Sequence, residues 1–207
     1  MTPQAREALK VLSAEKGPLA GAETRVPAKP GLYAIHGAAG AWRELGLGDP
    51  PDDRPLYVGK AEESLLARDI NTHFGDGHTG SSTVRRSFAA LLRSRLKLAG
   101  RPRNPAKPER FANYGLSPED DAKLTAWMRK RLNLATWTPG KPMVLEPVEI
   151  ELIQQWKPPL NLKNVATAWT GQVKDARRSM ADEARAWRPE PLRPTSTQRS
   201  GETTLPT

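Results

Sequence analysis

Two short apolar segments, each bounded by turn-forming residues, constrain the fold of this chain most. Gly31 to Ile35 reads Gly-Leu-Tyr-Ala-Ile, and Pro55 to Gly59 reads Pro-Leu-Tyr-Val-Gly. Short apolar and aromatic runs between prolines and glycines are typical of β-strands, because such residues fit a pleated, half-buried surface. The segment from Leu132 to Trp137, which Pro139-Gly140 ends, has the same character. The sequence therefore predicts a small sheet of three strands.

Segments with helical periodicity or good helix caps separate these strands. The predicted helices run from Pro3 to Ser13, from Glu62 to His73, from a Ser82 or Thr83 cap, from Ser117-Pro118 to about Arg131 and from about Pro147 to Trp156. A serine at an N-cap accepts a hydrogen bond from a first-turn amide that lacks a helical partner. We therefore predict an α+β fold with a three-stranded, mainly antiparallel central sheet, its first two strands a hairpin, flanked by helices on both sides.

The predicted organisation is one domain with appended segments, because 207 residues with 37% hydrophobic content can bury one core but hardly two. We expect residues 1–30 to form a helical arm and connector, 31–165 the folded domain, 166–187 an extra basic helix and 188–207 a disordered tail. The tail is rich in Pro, Thr and Ser. It holds too little apolar surface to offset the entropy of ordering it.

The composition excludes several classes of protein. The chain has no cysteine, so any bound metal must use oxygen or imidazole ligands rather than thiolates. Residues 1–16 have no continuous apolar core of the signal-peptide type, and no stretch reaches transmembrane length. We therefore expect a cytoplasmic protein without a membrane partner. The sequence does not indicate its oligomeric state.

The net charge of +9 is concentrated in one stretch of the chain. From Arg85 to Arg110 there are nine lysines or arginines and one acidic residue, Glu109. Such a stretch favours a polyanionic partner, although basic surfaces also serve solubility, acidic proteins and membranes. The residues that we expect to grip backbone phosphates are Arg85, Arg86, Arg93, Arg95 and Lys97.

Glu149 stands out in the helix that begins near Pro147. At about 100° per residue, it lies within the arc set by Leu152 and Ile153, whereas Glu151 points away from that arc. A carboxylate on an inward face is costly unless positive charge compensates it. Glu149 is therefore either a helix-edge acid paired with a basic residue or a ligand of a cation. Helix geometry alone does not choose between these two interpretations.

Four separated motifs follow one another along the chain. Gly31-Leu32-Tyr33 comes first, Tyr57-Val58-Gly59-Lys60 follows it, and Arg68 lies in the predicted helix after that. The last motif begins at Glu149, continues through Leu-Ile and Pro, and ends twelve positions later at Asn161. In content and order these motifs resemble those of the GIY-YIG nuclease superfamily. The resemblance covers roughly residues 31–162.

This resemblance implies a metal-dependent endonuclease that hydrolyses phosphodiester bonds of DNA, with double-stranded DNA as the expected partner. Glu149 would supply a hard oxygen ligand that suits Mg²⁺ or Mn²⁺, and Arg68 would hold the scissile phosphate with its planar fork. Asn161 would brace the site. The alternatives are a non-catalytic DNA-binding module on the same scaffold and a basic scaffold for acidic proteins.

The general base is left open among three residues. Tyr33 is the base that the resemblance implies, but a phenol with a pKa near ~10 needs neighbouring cations to act at neutral pH. Lys60 and His73 are rival or assisting bases, and His73 titrates in the conventional range for the task. Tyr57 is expected to hydrogen-bond within this cluster. The alternative role of either tyrosine is to fill the core.

Two features depart from compact members of the family. The interval from Tyr33 to Tyr57 is 24 positions, and the insert from about Gly77 to Trp137 is larger than a minimal domain needs. Both features resemble the enlarged restriction-endonuclease branch more than the nuclease half of the excision-repair incision subunit. The sequence does not decide among restriction of foreign DNA, repair of distorted DNA and cutting by a mobile element.

Overall fold

The computed structural model describes residues 1–67, 74–75, 77–104 and 106–188, and its centre is a four-stranded sheet. The strands are β1 (Gly17–Pro18), β2 (Gly31–Gly37), β3 (Tyr57–Ala61) and β4 (Leu132–Trp137). They lie in the order β1-β4-β2-β3, and each neighbouring pair is antiparallel. The α+β class and the β2–β3 pairing are thus confirmed, and the strand number of three is wrong.

The additional strand is β1, which pairs Gly17 with Leu134 and Pro18 with Asn133. It lies in the segment that we expected to be a connector. A Gly-Pro pair carries neither the apolar alternation nor the β-branched residues that predict a strand, so its pairing partner alone makes it one. Proline is tolerated there because β1 lies at the edge of the sheet.

Helices lie on both sides of the sheet, as predicted. Within the described ranges they are α1 (Pro3–Ala14), α2 (Ala41–Glu44), α3 (Thr83–Leu91), α4 (Arg93–Leu96), α5 (Pro118–Arg131), α6 (Glu146–Trp156) and α7 (Thr170–Ala186). Short 3-10 helices occur at Ala22–Thr24, Thr79–Ser81 and Pro108–Asn113. Ser82 and Ser117 cap α3 and α5 with their hydroxyl oxygens, which confirms both predicted helix starts.

The two faces of the sheet support two separate cores. On the first face, Tyr33 and Ile35 of β2 pack with apolar side chains of α3, α5 and α7. On the second face, Leu32 and Ala34 of β2 pack with Val58 of β3 and with α1 and α6. Successive residues of a strand point to opposite faces, so β3 divides its side chains between the two cores.

The helix α1, which we expected to be an arm, is part of the second core. Ala5, Ala8 and Leu12 are wholly buried there. The Thr2 backbone amide also donates to the Glu151 carboxylate on α6, with 2.7 Å between nitrogen and oxygen. Burial of one apolar stripe therefore fixes α1 against the sheet.

Two expectations fall on residues outside the described ranges. The predicted helix from Glu62 to His73 is described only to position 67, with residues 65–67 helical, so Arg68 and His73 lie outside. Of the predicted tail, residues 189–207 also lie outside. None of the helices that the structure describes has the length and apolar character needed to cross a bilayer.

Candidate functional site

The site begins with two tyrosines on the first face of the sheet. Tyr33 in β2 pairs across the ladder with Gly59 in β3, and its ring centre lies 6.0 Å from that of Tyr57. Tyr33 is buried, with 1% of its surface exposed, and Tyr57 is half-buried. The aromatic pair therefore forms one wall at the β3 edge of the sheet.

Gly59 makes this placement of Tyr33 possible. A Cβ at position 59 would lie 2.5 Å from both Cζ and the hydroxyl oxygen of Tyr33, which is inside van der Waals contact. The phenol ring thus lies directly over a residue that has no side chain. This close approach explains why glycine stands in the Tyr-Val-Gly-Lys motif of β3.

We expect Gly59→Ala to lower the free energy of unfolding by about 1 to 3 kcal/mol, because the added methyl group must displace the buried Tyr33 ring. Gly140→Ala is the matched control, since a Cβ there meets no atom within 4 Å. Urea unfolding of both variants measures the difference. Equal stability of the two variants would contradict the close packing of Tyr33 on Gly59.

Asn161 braces β3 from the end of the motif that starts in α6. Its side-chain oxygen accepts from the Val58 amide at 2.9 Å, and its side-chain nitrogen donates to the Val58 carbonyl at 2.8 Å. The Leu160 amide donates to the Leu56 carbonyl at 3.0 Å. Asn161 therefore mimics a neighbouring strand residue and satisfies backbone groups that an edge strand leaves unpaired.

Lys60 and Glu149 meet on the second face of the sheet. Lys60 pairs with Leu32 across the ladder, and its ammonium group binds the Glu62 carboxylate at 2.6 Å. That hydrogen bond is the main reason why the pKa of Lys60 is raised, and the charges of Glu146 and Glu149 raise it further. Lys60 is therefore held in its charged form beside three acidic residues.

The half-buried Glu149 carboxylate has no hydrogen bond or ion pair among the residues that the structure describes. Burial is the largest cause of its raised pKa, the Lys60 charge opposes that shift, and the nearby carboxylates of Glu146 and Glu62 add to it. A carboxylate in this setting is destabilised when ionised and gains from any additional cation. Glu149 is therefore not a helix-edge acid with a direct basic partner among the described residues.

Among the described residues, the expected catalytic set gathers around β3 from two directions. Tyr33 and Tyr57 approach from the first face, and Lys60 and Glu149 from the second. Asn161 lies beside β3, on the side away from β2, and forms two hydrogen bonds with the Val58 backbone. The two pairs of residues therefore lie on opposite faces of the sheet, next to the same edge strand. Arg68 and His73 lie outside the described residues.

A cavity of about 340 Å³ opens at the end of the sheet where β2 begins and where β3 and β4 end. It is lined by Lys29, Pro30, Glu62 and residues 138–143 and 145 of the segment that leads into α6. Glu62, the partner of Lys60, connects the cavity to the charged cluster.

Sequence reasoning did not select Glu62 or Glu146, although both are acidic residues that lie close in the sequence to Lys60 or Glu149. Glu62 lies two residues after Lys60, and Glu146 lies one helical turn before Glu149.

Two of the five expected phosphate-gripping residues are buried, so that prediction is wrong for Arg85 and Arg86. Arg85 has no exposed surface and binds the Asp121 carboxylate at 2.8 Å and the Thr125 hydroxyl at 3.0 Å. Arg86 is 6% exposed and donates to the Gly80 carbonyl at 2.8 Å. Both guanidinium groups face the protein, where they bond to partners in the insert.

The other three expected phosphate-gripping residues are exposed. Arg93 forms an ion pair with Glu183, and a guanidinium nitrogen of Arg95 lies 3.5 Å from the Glu44 carboxylate. Lys97 ends α4 in a left-handed conformation, with φ of 54°. These residues remain available at the surface, but two of them already have acidic partners.

No cluster of three or more histidine, aspartate or glutamate side chains suited to a metal ion occurs within the described ranges. A family model with the description GIY-YIG catalytic domain matches residues 51–179. The chain belongs to the GIY-YIG family. It therefore contains a nuclease-type domain, for which DNA is the implied substrate. No curated protein and no solved structure gave a significant match.

The matched range of this GIY-YIG domain contains Tyr57, Lys60, Glu149 and Asn161. It begins after β2, so the match does not include Tyr33, which pairs with Gly59 of β3. The range also spans the enlarged insert and most of α7. The insert therefore lies within the matched range.

Proposed function

We propose that this protein is a metal-dependent endonuclease that hydrolyses phosphodiester bonds of double-stranded DNA. The observation that carries the proposal is the half-buried Glu149 carboxylate, which has Lys60 as a charged neighbour and no direct partner among the described residues. A structural ion pair would satisfy such a group directly. A site that awaits a cation and a phosphate would leave it as it is found.

The donor set fits a hard divalent cation. Glu149 would hold the ion with a carboxylate oxygen, and Mg²⁺ or Mn²⁺ takes its remaining ligands from water and substrate phosphate. GIY-YIG nucleases generally depend on divalent metal ions. When bound, the ion would neutralise charge on the phosphate and favour ionisation of water. A single protein ligand predicts weak metal binding in the absence of DNA.

The residues around β3 then have separate tasks. Lys60 contributes a fixed positive charge beside the phosphate, since its pKa is raised and it stays protonated. Asn161 holds the strand that carries Tyr57 and Lys60, so it is a positioning residue. Arg68 is assigned to the scissile phosphate on the family motif. Positioning and charge neutralisation supply most of the rate in such reactions.

The proposal keeps two of the three candidates for the general base. A group that serves as a base must lose its proton readily at neutral pH, and the bond to Glu62 holds the proton on Lys60. Tyr33 and His73 therefore remain as bases in the proposal. The tightly packed Tyr33 phenol would need the charges of Lys60, Arg68 and the metal ion to lower its pKa.

We expect Glu149→Gln to raise the free energy of unfolding at neutral pH. Burial raises the pKa of Glu149 above its ordinary 4.5, so wild type loses stability as the pH rises from the ordinary pKa to the raised one, and the loss is complete above the raised pKa. The stability gained by Glu149→Gln should shrink as the pH falls. It should vanish below the ordinary pKa, where Glu149 is protonated in both the folded and the unfolded wild type. Thermal unfolding across that pH range measures it. The prediction would be contradicted if the stability of Glu149→Gln relative to wild type were lower at neutral pH than at acidic pH.

Nicking of supercoiled plasmid, with Mg²⁺, with Mn²⁺ and with EDTA, tests the proposed function. We expect metal-dependent nicks or breaks, and none with EDTA. Tight DNA binding without a metal-dependent product would favour the alternative, a non-catalytic DNA-binding module. Mapping the ends also addresses the biological role. Discrete cuts in ordinary duplex would favour restriction, and cuts that depend on junctions would favour repair.

A further inference from the structure

A basic loop in the insert, described at residues 101–104 and 106–115, is closed at its base and bonded to α3. Arg101 and Gly115 pair through two backbone hydrogen bonds of 3.0 and 2.8 Å. Next to that closure, the wholly buried Tyr114 donates its hydroxyl hydrogen to the Arg86 carbonyl at 2.6 Å. The Asn104 side-chain oxygen accepts from the Ala106 amide at 2.9 Å. The loop therefore presents its side chains from a well-anchored backbone.

A cavity of about 290 Å³ opens on this basic loop. Its lining consists of exposed side chains, namely Arg103, Asn104, Lys107, Arg110 and Asn113. Three of these groups are cations, two are amides that can donate hydrogen bonds, and none is a carboxylate. Cations and amide donors without acids are the groups that bind phosphate oxygens.

A further cation lies buried behind the loop. The Arg86 guanidinium donates to the Gly80 carbonyl and to the Thr83 hydroxyl, but its Nε–H has no hydrogen-bond partner among the described residues. No carboxylate pairs with Arg86 in the part of the chain that the structure describes. The aliphatic stem of Arg103 lies over Gly80, where a Cβ would be 2.6 Å from the Arg103 Cγ. The buried charge and the loop are therefore neighbours.

The surrounding charge makes this region favourable for an anion. Burial, with the charges of Arg177 and Arg103, lowers the pKa of Arg86 to about 10. Arg177 belongs to α7, which packs on α3 and on the 3-10 helix of the loop. The nearby Glu183 is already engaged, because it accepts from the Gly100 amide and pairs with Arg93. A buried cation without a counter-ion is stabilised when an anion binds above it.

We propose that Arg103, Lys107, Arg110 and Arg177, backed by Arg86, form a second contact surface that binds the phosphate backbone of DNA. This surface lies on the insert and on α7, whereas the proposed catalytic residues lie next to β3. The cations extend from the loop to α7 rather than converge on one point, so a polymer with regularly spaced phosphates can neutralise several of them together. The inference rests on the proposed function, because DNA is the polymer named.

The test measures binding of a short fluorescent duplex to the full chain in EDTA at several salt concentrations. The variant combines Arg103→Ala, Lys107→Ala and Arg110→Ala. We expect its affinity to fall by about tenfold or more near 0.1 M salt, and the slope of log affinity against log salt to be shallower by about 2 to 3. Lys107→Ala alone should account for about one third of that change in slope.

The matched control combines Lys10→Ala, Arg129→Ala and Lys130→Ala, which remove three exposed charges elsewhere. Equal weakening in both triple variants would show a general effect of net charge and would overturn the contact surface. Unchanged DNA binding by the loop variant would also overturn the contact surface. If wild type still showed metal-dependent cleavage, the proposed function would remain intact in that case. Absence of both DNA binding and cleavage in wild type would overturn the two proposals together.

Discussion

Cleavage by the Glu149→Ala variant should fall by more than about 100-fold, while its affinity for duplex DNA stays within about threefold of wild type. The reason is that Glu149 is the carboxylate assigned to the metal ion, whereas most contacts with phosphates are assigned to cations elsewhere. Initial rates of plasmid cleavage and fluorescence anisotropy with a labelled duplex measure the two quantities separately.

Glu151→Ala is the matched control for this prediction. It removes the same charge from the same helix, but Glu151 accepts hydrogen bonds from Thr2 on the far side of α6. Cleavage by this control should stay close to that of wild type. Retention of full activity by Glu149→Ala would remove the metal-ligand assignment, and equal loss in both variants would point to damage to α6 instead.

Replacement of Arg85 by alanine should cost about 3 to 5 kcal/mol of stability, because it leaves the Asp121 carboxylate buried without its cation. Asp121 also accepts hydrogen bonds from the Gly77 amide and the Thr79 hydroxyl, so the loss would reach the loop before α3. Urea unfolding, with the shared slope checked between variants, measures the change.

Arg93→Ala is the control for Arg85→Ala. Its ion pair with Glu183 lies at the surface, where the Arg93 side chain is 45% exposed. Exposed ion pairs contribute at most about 1 kcal/mol, so this variant should remain close to wild type. A loss of less than about 1 kcal/mol of stability in Arg85→Ala would contradict the buried network and would indicate that the Arg85 side chain is exposed.

The elements that sequence predicts well are those with local causes. The strands β2 and β4 follow from apolar runs that turn formers end, and α5 follows from the Ser117 cap before Pro118. Glu149 was selected because its inward position on a helix conflicts with its charge. Each of these features depends on residues within one or two turns, so the sequence contains the whole signal.

The features that sequence did not predict depend on distant partners. Arg85 lies inside the protein because Asp121 and Thr125, far along the chain, satisfy it. The strand β1 exists because β4 pairs with it. The pairing of Tyr33 with Gly59 fixes which groups share a face, and no local pattern sets that register. Charge alone therefore selected the wrong arginines as surface contacts.

The most direct test of the site is binding of Mn²⁺ in the presence of a duplex that resists cleavage, followed by the loss of the free-ion electron paramagnetic resonance signal. We expect wild type to take up Mn²⁺ when the duplex is present, and Glu149→Gln to take up far less while still binding the duplex. Equal uptake by wild type and Glu149→Gln would contradict the central claim that Glu149 holds the metal ion beside the phosphate.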